Sequence, residues 1–66
     1  VDVSALFKAY DGDVRVSLRS SGRVNVQTVA GHLGGGGHFR ASGLTYNGPV
    51  SEAVEALREA LRAEGL

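Results

Sequence analysis

The dipeptide Asp11-Gly12 lies between two runs rich in alternating apolar residues, and this constrains the fold more than any other feature of the chain. Downstream, Val14-Arg15-Val16-Ser17-Leu18-Arg19 alternates strictly between apolar and polar, the period of a half-buried strand. Upstream, Val3, Leu6, Phe7 and Tyr10 also fit the i, i+3, i+4, i+7 spacing of a helix. The hairpin reading prevails, because a helix does not alternate and because Asp-Gly tolerates the positive φ values of a type I′ turn. Centring that turn on Asp11-Gly12 pairs Ala9 with Val14, Phe7 with Val16 and Ala5 with Leu18, a wholly apolar face. The other face pairs Lys8 with Arg15, Leu6 with Ser17 and Ser4 with Arg19, polar except for Leu6.

The rest of the chain reads as helix, strand, helix. Asn25 is placed to cap a short helix carrying Val26, Val29, Ala30 and Leu33 on one stripe, ending against Gly34. Gly43 to Asn47 predicts a strand with Leu44 and Tyr46 on one face, while His38 to Ser42 has no clear pattern. Asn47-Gly48-Pro49 marks a turn, with Pro49 suited to the first helical position. The final helix is expected to bury Val50, Val54, Leu57 and Leu61, with Glu52 early, Arg62 late and Gly65 closing it. The expected order is β-β-α-β-α, a small α+β domain with helices packed on a sheet. Sixty-six residues suffice for one such domain, 1–66, and only 20 of the 28 apolar residues are larger than Ala. Without cysteine there is neither a disulfide nor a Cys-based zinc site to staple it. No apolar stretch approaches the roughly 20 residues of a bilayer span. Val1 in place of an initiator Met suggests a piece of a longer protein.

The net charge of zero conceals a pattern. Residues 1–13 carry a net −2, residues 14–51 carry Arg15, Arg19, Arg23 and Arg40 with no acid, and residues 52–66 carry a net −2. A cationic, glycine-rich centre between acidic arms points to a local anion site; four solvated arginines are the plainer alternative. Within it, Gly34-Gly35-Gly36-Gly37-His38 has two readings. Consecutive glycine amides can encircle an oxyanion, with His38 donating to the same group. Alternatively the run is a tight connector and His38 merely packs beside it. Arg15, Ser17 and Arg19 share the polar face of their strand, where an Arg fork and a Ser hydroxyl suit phosphate. Tyr46 and Phe39 suit either base stacking or the core. His32 falls off its helix stripe and reads as a surface residue. No carboxylate or Cys joins His32 and His38 in the central segment, so no metal site is expected, and no catalytic set is visible.

Val16-Ser17-Leu18-Arg19-Ser20, Val24-Asn25-Val26, and Leu33-Gly34-Gly35-Gly36-Gly37-His38 with Ala41, Ser42 and Gly43 together resemble the DHH-associated domain of the DHH phosphoesterase family. The resemblance runs from about Val14 to Leu44, with a C-terminal helix where the family has one. It implies a substrate-binding domain that follows a larger catalytic domain, in which manganese ions hydrolyse a phosphoester. The nano-RNase and pAp-phosphatase branch is the most similar, implying a nucleotide or short single-stranded RNA or oligonucleotide as ligand. The cyclic-di-AMP phosphodiesterases share the Gly-Gly-Gly-Gly-His element and Asn25-Val26-Gln27, and a structural or self-association module remains the alternative of another class. The resemblance assigns substrate or phosphate contact to Arg19, Gly35, Gly36, Gly37 and His38, to which the strand pattern adds Ser17. Ser42 stands where the family usually has Ala. The Asp-His-His motif and its metal ligands are absent, so hydrolysis is expected only in the parent protein, with no cofactor in this chain. The resemblance implies a cytoplasmic location.

Overall fold

The computed structural model describes residues 2–66. Its elements are β1 (Val3–Ala9), β2 (Asp13–Ser20), α1 (Val26–Gly31), β3 (Gly36–Gly37), β4 (Ala41–Asn47) and α2 (Val50–Ala63). The strands form one antiparallel sheet in the order β1-β2-β4-β3. The α+β class is as expected, with one strand more than the pattern predicted. That strand, β3, consists of two glycines, which carry no periodicity to read.

The β1–β2 register is the one the alternation predicts, from Ala9 opposite Val14 to Ser4 opposite Arg19. The turn itself differs. A type I′ turn needs positive φ at both central residues, but only Gly12 has it, at +78°. Asp11 carries a Cβ and stays at negative φ, where no steric cost arises. Tyr10 and Asp13 close the loop by exchanging N–H···O bonds of 2.8 and 3.4 Å.

Val14, Val16 and Leu18 of β2 are buried beneath both helices with Leu44 of β4, Val26, Val29 and Ala30 of α1, and Ala53, Leu57 and Ala60 of α2. Each buried Val or Leu contributes about 1.5–3 kcal/mol relative to exposure. In α2 the stripe is turned from the expected one. Ala53, Leu57 and Ala60 face the core, whereas Val54 and Leu61 flank it half-buried and Val50 is 38% exposed. Alanines let the helix lie close to its neighbours, so the narrow side packs inward. Pro49 sits one position earlier than expected, as the N-cap in extended conformation (φ −75°, ψ 159°). The helix closes with Gly65 N–H donating to Arg62 O (2.9 Å) and Leu66 N–H to Leu61 O (3.0 Å), a Schellman motif. Asn25 caps α1 as predicted, accepting from the N–H groups of Gln27 (3.0 Å) and Thr28 (3.3 Å). Among the described residues no helix is long and apolar enough to cross a membrane.

Candidate anion-binding face

Both helices cover one face of the sheet, as the burial of every second residue of β2 shows, and among the described residues the other face is left bare. Side chains on one face of a sheet line up across the strands. On the bare face, Ser4, Arg19 and Ala41 form one row, Leu6, Ser17 and Gly43 the next, and Lys8, Arg15 and Thr45 a third. Gly36 extends the second row opposite Gly43. His38 and Ala41 exchange backbone bonds (2.8 and 3.3 Å) across the two-residue turn Phe39-Arg40. This pairing places His38 at the end of the Arg19 row. Arg19 and His38 are thus two strands apart, about 10 Å, with only the methyl of Ala41 between them. Arg15 lies over the Tyr10 ring, 5.8 Å from its centroid.

The glycine run does not present a ring of free amides. Gly34 N–H donates to Gly31 O (3.2 Å), Gly35 N–H to Ala30 O (2.8 Å) and His38 N–H to Ala41 O (2.8 Å). Antiparallel ladders alternate bonded and non-bonded pairs, so with His38 and Ala41 bonded, Gly36 bonds to Gly43 and Gly37 N–H points to the open sheet edge. The amides are spent because α1 must be closed and β3 must pair. What the glycines supply is closeness. A methyl group on Gly35 would overlap Gly43 O and lie 2.7 Å from Leu44 Cβ, and one on Gly37 would lie 2.7 Å from Ser42 Cα. Gly36 has open space where its side chain would be, on the bare face. Ser42 Oγ donates to His38 O (2.6 Å), a bond that Ala would not make.

Beside the Arg19 row lies an open depression of about 590 Å³, lined by Asp2, Ser4, Arg19, Ser20, Ser21, Arg40 and Ala41. Among the described residues neither Arg19 nor Arg40 has a carboxylate at ion-pair distance. Sequence reasoning passed over Arg40, whose only signal was its membership of the acid-free cationic stretch. Its position is held from the backbone, since Arg40 O accepts from Ser20 N–H (2.9 Å) and Phe39 O from Val26 N–H (2.9 Å). Arg23 lines a separate depression with Val24, Asn25, Glu64 and Leu66, which Asp2 also borders. Tyr46 packs against the core, and Phe39 is exposed at the turn. His32 is exposed but paired, with Nε2 2.7 Å from Glu64 Oε2. No three His, Cys, Asp or Glu residues among those described gather to hold a metal ion. These residues therefore do not fit a manganese site, and no metal-dependent step is assigned to them.

A four-stranded sheet with helices on one face, and an arginine–histidine row beside a glycine-built edge on the other, defines a small α+β domain with one open face. The chain belongs to the DHHA1 domain family, which matches residues 1–64. It is 43% identical over 63 residues to the bifunctional oligoribonuclease and PAP phosphatase NrnA of Thermus thermophilus, covering 94% of this chain and 19% of that protein. It is 47% identical over 55 residues to the cyclic-di-AMP phosphodiesterase GdpP of Geobacillus thermodenitrificans, covering 82% of this chain and 8% of that protein. The chain thus spans less than a fifth of the length of either relative.

Proposed function

We propose that the bare sheet face binds a phosphate of a nucleotide or short single-stranded oligoribonucleotide and presents it to a manganese-dependent phosphoesterase domain of a longer chain. The observation that carries this reading is the row in which Arg19 and His38 share one face with only Ala41 between them. Arg19 grips phosphate oxygens with its planar fork, and His38 donates a hydrogen bond to the same group. Gly37 N–H at the open edge is a further donor, Ser17 adds a hydroxyl in the neighbouring row, and Gly36, beyond Gly43 in that row, leaves room for sugar or base. Gly35 acts indirectly, by letting the loop lie against β4. The NrnA relative, named for oligoribonucleotides and PAP, supports this ligand class, and the GdpP relative makes a cyclic dinucleotide the second ligand to test. A cytoplasmic location belongs to the same reading.

The test is a chemical-shift titration of the folded chain with adenosine 3′,5′-bisphosphate, a dinucleotide and a cyclic dinucleotide. Arg19→Ala removes a charged hydrogen-bonding fork worth roughly 1.5–3 kcal/mol, so affinity falls about ten- to a hundredfold. With a single-stranded oligonucleotide, the slope of log K against log salt flattens by about 0.7, one phosphate contact. Arg23→Ala, in the other depression, leaves affinity unchanged. Equal losses at Arg19 and Arg23 mean diffuse attraction to a cationic surface, and no loss at Arg19 in a folded variant refutes the site.

A further inference from the structure

We infer that β1 is a self-association edge, through which two copies of this chain pair antiparallel about a two-fold axis at Leu6 to form one continuous eight-stranded sheet. This rests on the edge alone and is independent of the ligand reading. Strand β1 has β2 on one side and, among the described residues, no neighbour on the other. Soluble proteins protect such edges with proline, bulges, short strands or several charges. Here seven residues run without a proline, paired to β2 without a break in register, and Lys8 is the single charge. Leu6 is 66% exposed, and Ala5 and Ala9 are exposed beside it.

The parity of the ladder decides which groups are free. Tyr10 and Asp13 are a bonded pair, so bonding alternates back along β1, with Ser4, Leu6 and Lys8 bonded inward to β2. The N–H and C=O groups of Val3, Ala5, Phe7 and Ala9 therefore point to the open edge. A two-fold axis at Leu6 sets Val3 opposite Ala9 and Ala5 opposite Phe7 as bonded pairs, so every outward group finds a partner. Leu6 meets Leu6 in a non-bonded pair, where side chains approach most closely. On the helix side the new pairs are wholly apolar. On the bare side Lys8 faces Ser4 of the second copy, so the two Lys8 charges do not oppose each other. Asp2 of the second copy is then the diagonal neighbour of Lys8, about 7–8 Å away between backbones and within reach of a lysine. The axis repeats this complementary contact twice.

Sedimentation equilibrium over a concentration series from micromolar to about 1 mM tests the inference. The expected mass rises from 6.8 kDa towards twice that value, and the amides of Val3, Ala5, Phe7 and Ala9 gain exchange protection with concentration while that of Leu6 does not. Ala5→Pro removes an outward N–H and no inward bond, so it folds as an edge strand tolerates and stays monomeric. Leu6→Lys, at an exposed position, sets two ammonium groups against each other at the axis and also abolishes the dimer. A wild-type mass that stays at the monomer value throughout overturns the inference. So does a dimer that survives either substitution in a folded chain, or one whose protected amides lie elsewhere.

Discussion

Adding one methyl group at either of two adjacent glycines separates packing from binding in the loop. At Gly35 an added Cβ would overlap Gly43 O and lie 2.7 Å from Leu44 Cβ and 3.0 Å from Leu44 Cα. These are strand atoms and the root of a core side chain, not the tip of a mobile one, and carbon atoms pack at about 3.5–4.0 Å. Gly35→Ala therefore pushes the end of α1 and the start of β3 away from β4 by close to an ångström. It strains the bond from Gly35 N–H to Ala30 O (2.8 Å). Overpacking of this kind costs about 1–3 kcal/mol, which in a domain this small lowers the melting temperature by about 4–8 °C per kcal/mol. At Gly36 nothing lies within 4 Å of an added Cβ, so Gly36→Ala melts within a few degrees of wild type. Its methyl instead stands on the bare face, where the proposed nucleotide site requires it to weaken binding. Circular dichroism melts of the two variants, with a nucleotide titration of Gly36→Ala, measure both effects. If Gly35→Ala melts with the wild type, the close approach of β3 to β4 is wrong, and with it the placement of His38.

Two further outcomes follow from the turn and from the charge distribution. Gly12 has φ +78° and β-branched side chains are disfavoured there, so Gly12→Val destabilises the domain by about 1 kcal/mol or more; a thermal melt at the wild-type temperature would refute the hairpin. The purified chain is expected to release no product from a dinucleotide or from adenosine 3′,5′-bisphosphate with manganese present, because among the described residues the acids do not gather into a metal-binding cluster; turnover by the chain alone overturns that expectation.

The hairpin was legible because two independent local signals agreed. Asp11-Gly12 located the turn, and the alternation of Val14 to Arg19 set which face is buried; a slip of one residue would have put Arg15 and Arg19 in the core. Helix α1 was legible for a similar reason, with Asn25 capping and Val26, Val29 and Ala30 forming the stripe. Helix α2 is rotated from the expected stripe, with only Leu57 of that stripe fully buried, because volume is a poor guide where alanines are abundant. Val50 and Val54 are larger than Ala53 and Ala60, yet close packing selects the smaller side. Strand β3 left no trace, since glycine has no side chain to alternate and its pairing depends on partners in β4.

The candidate site was legible in its parts and not in its assembly. Arg19 stands out by motif and by its place on the polar side of β2, and His38 by the glycines before it. Their common row follows only from two successive registers, Arg19 with Ala41 and Ala41 with His38. The second depends on the turn Phe39-Arg40, which contains no Gly, Asn, Asp or Pro and has no positive φ. Local sequence therefore supplies no reason to turn there. The turn is imposed from outside, by Ser20 N–H on Arg40 O, by Val26 N–H on Phe39 O and by Ser42 Oγ on His38 O. These anchors come from the end of β2, the start of α1 and the second residue of β4, so the position of His38 is a property of the folded domain. The same anchors carry Arg40 to the depression beside Arg19, which is why an arginine with no motif of its own ends next to the one that has it.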